Sequence, residues 1–253
     1  MKKQLIALIL ALIPFTALAA GGANIHLDKM EPDLYDKASL QRGAQLFVNY
    51  CMGCHSAQYQ RFARTAEDLG IPQDVIEQNL IFSSSLKYND QMRIAMEKED
   101  AAVWFGAAPP DLSLETRLRG TDWVYTYLRG FYVDESRPWG VNNTVFKDVG
   151  MPNVLASLQG VQEKVCDPNT HNAEVDPLTG KQVGDSCLKI TKEGAMSKVE
   201  FDRAMYDLTN FLAYVGEPSK LQSNAIAPWV LGFIVLLFIV TYLLKKEYWR
   251  DIH

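Results

Sequence analysis

Cysteine and histidine are scarce in this chain, four of each among 253 residues. Cys51 and Cys54 stand two residues apart. The other two, Cys166 and Cys187, lie more than a hundred residues downstream without that spacing, so a cysteine-paired zinc site has no partners here. Basic charge is also in deficit, with 25 Lys and Arg against 30 Asp and Glu, which argues against a nucleic-acid partner. No internal repeat and no convincing strand run is present, which predicts a mainly helical soluble part. The βαβ context of a thioredoxin-like dithiol is missing as well.

What is there centres on Cys51-Met52-Gly53-Cys54-His55. Two cysteines two residues apart, followed at once by histidine, form the C-x-x-C-H signature of covalent c-type haem attachment. Both thiols reach the vinyl groups of one haem edge, while the next side chain turns under the ring to offer an imidazole to iron. One such motif implies one haem c per chain, with Cys51 and Cys54 as tethers and His55 as the proximal ligand.

Two long apolar runs bracket this centre. Met1-Lys2-Lys3 followed by an apolar stretch to Ala17-Leu18-Ala19 reads as a secretory signal peptide over residues 1–19, cleaved after Ala19 or Ala20. Export suits covalent haem attachment and permits a disulfide between Cys166 and Cys187. These two cysteines enclose a turn-rich segment with little to bury, though two unpaired thiols remain the alternative. The second run, residues 226–244, carries no charge and covers roughly 28 Å as a helix, close to the hydrocarbon thickness. Trp229 at one end and Tyr242, Tyr248 and Trp249 at the other resemble interfacial belts. Lys245, Lys246 and Arg250 then place residues 245–253 in the cytoplasm and residues 20–225 in the periplasm. Leaving out Lys2, Lys3, Lys245, Lys246, Arg250, Glu247 and Asp251, the exported part keeps 20 basic and 28 acidic residues. That balance suits a basic soluble partner, and equally plain solubility.

Several local elements are legible. Ser39 is placed to cap a helix running into the haem motif, and Gly43 permits close packing on another helix. Pro72 opens a further helix with Val75, Ile76, Leu80 and Ile81 on its apolar side. Met92 and Met96 are one turn apart in a candidate helix. Residues 106–113 form a stiff loop around Pro109 and Pro110. Thr121 starts a short helix ending at Gly130. Ser197 and Glu200 make a capping box for a helix whose buried face is Phe201, Ala204, Met205, Leu208, Phe211, Leu212 and Val215, stopped by Gly216 and Pro218.

A sixth iron ligand separates electron transfer from catalysis. Among the histidines His171 is a candidate. Among the methionines Met151 stands out, because Gly150 precedes it and Pro152 biases it to an extended conformation on a stiff loop. Residue chemistry alone leaves the choice open.

The order of these motifs resembles the cytochrome c1 family, the haem-bearing subunits of the ubiquinol:cytochrome c oxidoreductase of respiratory chains. The resemblance rests on Cys51-Met52-Gly53-Cys54-His55, Pro109-Pro110-Asp111-Leu112-Ser113, Arg117-Leu118-Arg119, Val149-Gly150-Met151-Pro152, the helix from Ser197 to Pro218 and a single C-terminal anchor. It implies a class I cytochrome c-like haem domain with insertions plus one transmembrane helix. It further implies Met151 as the sixth ligand, Arg119 beside a haem propionate, and Pro109 and Pro110 as a haem-shielding loop. By the same resemblance one electron comes from a Rieske iron–sulfur protein and leaves to a cytochrome c, within a dimeric complex that contains cytochrome b. An electron carrier of this kind has no substrate site of its own. The rivals are a peroxidase-like haem enzyme, which would need a second haem or a distal acid–base pair, and a gas sensor with a displaceable ligand, for which the short cytoplasmic tail offers no output domain.

Overall fold

The computed structural model describes residues 27–165 and 188–250. The expected signal peptide, the cysteine pair Cys166 and Cys187, and His171 lie outside these residues. The chain enters as an irregular arm that buries Met30 and Leu34. Helix α1, Lys37–Leu46, follows. Its cap is Asp36, whose carboxylate accepts from Ser39 N at 3.0 Å; Ser39, expected at the cap, is instead buried in the first turn. The last turn widens into a π-helical turn, Phe47–Cys51, where Met52 N reaches back to Phe47 O at 2.9 Å. Such a widened turn re-aims the side chains that leave it, and it occurs often at functional sites.

Beyond the haem motif come strand β1, Ala57–Arg61, and helix α2, Phe62–Leu69, which ends on left-handed Gly70. Pro72 caps helix α3, Gln73–Asn79. Of its expected apolar side Ile76 and Leu80 are buried, whereas Val75 is exposed. Met92 does not belong to a helix: Gln91–Met92 form strand β2, antiparallel to β1, and Met96 lies in the connection that follows. Two methionines four apart fit a helix face, but pairing with β1 wins because it buries Met92 completely.

Helix α4, Lys98–Phe105, leads into the proline loop, then helix α5, Glu115–Arg119, and helix α6, Thr121–Arg129. Gly120 is the junction residue, and the Thr121 hydroxyl donates to Met30 O at 3.1 Å, fastening the arm instead of capping the helix. Strands β3, Phe131–Val133, and β4, Val141–Asn143, make a hairpin. Helix α7, Ala156–Gln159, precedes strands β5, Gly160–Lys164, and β6, Leu188–Glu193, which pair antiparallel. Among the described residues the fold is thus mainly helical, with three two-stranded ribbons where the sequence suggested no strands.

Helix α8, Lys198–Gly216, is the axis of the core. Its capping box is formed as expected, with Glu200 N donating to Ser197 Oγ and the Glu200 carboxylate accepting from Ser197 N. All seven expected core residues on it are buried. It crosses α1 at Gly43, where a Cβ would stand 2.1 Å from Asp207 O and 2.6 Å from Phe211 Cβ. Arg42 on α1 pairs with Asp207 on α8 at the same crossing. Underneath, buried Arg129 joins Asp28 of the arm (3.1 Å) and Asp202 of α8 (2.7 Å), with its guanidinium 4.4 Å from the Tyr125 ring centre. Helix α9, Lys220–Tyr248, is the helix among the described residues long and apolar enough to cross a membrane. None of its residues is buried. It begins at Lys220, six residues before the apolar run at Ile226.

Candidate functional site

The haem-motif turn is organised around one carbonyl. Cys54 N and His55 N both donate to Cys51 O, at 3.0 and 2.9 Å, so the chain wraps and delivers both thiols and the imidazole to one side. The thiols are not joined to each other. Burial pushes the Cys51 thiol up to about 12, so as a free residue it is an uncharged thiol. The His55 ring sits 2.7 Å from Pro110 O through Nδ1. A carbonyl only accepts, so Nδ1 carries the proton and Nε2 keeps its lone pair. Burial lowers the His55 pKa and holds the ring neutral, the form that binds iron.

The proline loop is aimed at His55 by a ladder of bonds. Leu112 N donates to Ser56 O at 2.8 Å, Gln58 N to Asp111 Oδ2 at 2.9 Å, and Tyr59 N to Ser113 Oγ at 3.1 Å. Asp111 also accepts from Ser113 N at 2.9 Å. The Pro-Pro-Asp-Leu-Ser run therefore does two things. Prolines stiffen the chain that presents the carbonyl, and Asp and Ser lace it to the residues just after the haem motif.

Met151 is presented by a second laced loop. Asp148 takes a left-handed conformation (φ 61°), its N–H donating to Asn142 Oδ1 at 2.9 Å and its carbonyl accepting from Arg137 Nη2 at 2.9 Å. Asn153 closes the far side by accepting from Leu155 N at 3.1 Å. The Met151 sulfur accepts from the Tyr127 hydroxyl at 3.3 Å. Arg119 pairs with Glu115 (3.1 Å) and lies 4.7 Å from the Trp123 ring centre.

All of these converge on one cavity of about 330 Å³. Cys51, Cys54, His55, Pro109, Pro110, Arg119 and Met151 line it together, although up to a hundred residues separate them in sequence. Leu208 and Leu212 of α8 and Val124 and Leu128 of α6 complete an apolar wall. The size falls within the roughly 300–1,000 Å³ of cofactor pockets. Paired thiols, an imidazole with a free Nε2, a thioether, apolar walls and one guanidinium match the donor set of a haem c, and the residues fit that group. Glu115, Trp123, Tyr127 and Phe146 also line the cavity and were not singled out in the sequence. Trp123 and Tyr127 sit on a short helix and Phe146 in the bend after β4, where each looked like ordinary packing, and only Glu115, four residues before Arg119, carried a readable signal.

A family model described as the Cytochrome C1 family matches residues 29–252. A cytochrome c1 from Allochromatium vinosum is 49% identical over 253 residues, covering 100% of both chains. A protein named ammonia monooxygenase gamma subunit, from Nitrosomonas europaea, is 46% identical over 252 residues, covering 100% of this chain and 98% of that one. A cytochrome c1 from Blastochloris viridis is 26% identical over 277 residues, covering 96% of this chain and 93% of that one.

Proposed function

The chain belongs to the cytochrome c1 family, and from that premise we propose that it is a membrane-anchored electron carrier. It accepts one electron from a Rieske iron–sulfur protein and passes it to a cytochrome c, beside cytochrome b in a dimeric quinol:cytochrome c oxidoreductase. The observation that carries this reading is the convergence of the two thiols, the imidazole and the thioether on one apolar cavity.

A haem c bound there supplies a one-electron iron couple. Cys51 and Cys54 would hold its edge as thioethers. His55 offers Nε2 while Pro110 O fixes its tautomer and ring plane. Met151 would fill the sixth position, and with both positions held by rigid loops a change of redox state moves few atoms. The Pro109-Pro110 loop and the α6 and α8 leucines exclude water, which favours the less charged ferrous state. Arg119 would offset propionate charge, its planar fork suiting a carboxylate. The soluble domain is assigned to the periplasm after removal of residues 1–19. There α9 ties it to the inner membrane, with Lys245, Lys246 and Arg250 on the cytoplasmic side.

Carbon monoxide tests the carrier reading in the full-length membrane protein. The reduced unaltered protein is expected to resist carbon monoxide, whereas Met151→Leu keeps covalent haem, loses the long-wavelength ferric band of sulfur ligation and binds the gas. Rapid binding by the unaltered protein would favour an open-site enzyme or sensor and overturn the proposal.

A further inference from the structure

We propose that Tyr127 is a positioning residue for the axial thioether, setting which sulfur lone pair faces the iron and how strongly it donates. The inference rests on Met151 being the sixth ligand. Its observation is the hydrogen bond from the Tyr127 hydroxyl to Met151 Sδ at 3.3 Å, inside the cavity that both residues line.

A thioether sulfur has two lone pairs and is a weak acceptor. When a phenol O–H occupies one, the other is the only one left for a metal. A methionine on a loop could otherwise present either, by turning about its last two side-chain bonds. Tyr127 can enforce the choice because its ring is held from two sides and its backbone is tied by a hydrogen bond. Trp123 stacks on it at 5.0 Å and 12° between planes, and Phe131 meets it edge-on at 5.2 Å. The backbone carbonyl of Tyr127 accepts from Asn143 Nδ2 at 2.8 Å, tying helix α6 to the β3–β4 hairpin. That hairpin, through Asn142 and Asp148, also carries the loop of Met151. Donor and acceptor are thus two ends of one short framework, so their distance is set by the fold and not by side-chain chance.

The electronic consequence has a definite sign. A proton shared with the sulfur withdraws electron density from the thioether, and the ferric ion, which needs the donation more, loses more than the ferrous ion. Tyr127 therefore raises the potential. A simpler role is that a buried phenol needs some acceptor and finds sulfur. In that case the bond adds a little stability and leaves the iron untouched.

Tyr127→Phe in the full-length holoprotein separates the two. We expect covalent haem and the sulfur-to-iron band to persist, the band shifted in position, and the ferrous preference to fall three- to tenfold, about 28 to 59 mV in a redox titration. The Met151→Leu and double variants complete a cycle in which the Tyr127→Phe shift must vanish once the sulfur is gone. An unchanged potential and band in Tyr127→Phe would overturn the positioning role, as would an equal shift in the Met151→Leu background. If Met151→Leu itself kept the sulfur band, the ligand assignment would fall first and this inference with it.

Discussion

At the scale of single residues, the site pairs opposite charges at the edge of an apolar cavity. Arg119 and Glu115 face each other at 3.1 Å, and the guanidinium rests on Trp123 and Phe146, 4.7 and 5.7 Å from their ring centres. Both side chains are part-exposed, which screens them, so their influence on iron is expected to be moderate. Arg119→Gln removes a cation and leaves the carboxylate alone, which should lower the potential. Glu115→Gln should raise it, and the double variant should fall between. Redox titration checks all three, with shifts of tens of millivolts expected on a scale where roughly 59 mV is tenfold. Tyr214 offers a separate test by pH. It is fully buried, and burial together with the hydrogen bond it donates to Asp68 (2.7 Å) raises its pKa. The unfolded chain ionises its tyrosine near 10, so between that value and the higher folded pKa the native state binds more protons. The contribution is present below about pH 10 and is lost as pH rises further. Denaturant melts should show stability falling above about pH 10, with a shallower fall in Tyr214→Phe.

At the scale of elements, the crossing of α1 and α8 governs the rest. Gly43 lets the two backbones approach, and a methyl group there would meet a carbonyl oxygen, which cannot swing aside as a side-chain end can. Gly43→Ala should therefore cost about 1–3 kcal/mol by overpacking, read as a lower denaturation midpoint. The long-wavelength band of the ferric protein should survive, since Met151 hangs from the β3–β4 hairpin and not from this crossing. The ribbons show why helix-only reasoning fell short. Strand β2 is two residues long and β3 and β4 three each. Segments this short show no period of their own and exist because a distant partner supplies their hydrogen bonds. The reassignment of Met92 from helix to strand has the same cause.

At the scale of the whole molecule, the packed part of the chain and a bare helix are joined at Glu217–Ser219. Every residue lining the cavity precedes that joint, the last being Leu212. A chain ending after Ser223 should be exported as a water-soluble haem protein with an unchanged visible spectrum. Haem loss or aggregation would show that α9 supports the fold, and sedimentation with an absorption spectrum reads both outcomes. The sequence by itself determined what is local or periodic. The haem motif, the capping box and buried face of α8, the stiff proline loop, the close approach at Gly43 and the apolar span all follow from spacing over a few turns. Tertiary structure alone decided what depends on meeting at a distance: that Pro110 O orients His55, that Arg129 clamps the arm to α8, and that Tyr127 donates to Met151. The reason is physical. A helical period is written into neighbours three and four residues apart, whereas a hydrogen bond between residues 24 or 55 positions apart leaves no periodic trace, because either partner alone looks like ordinary packing.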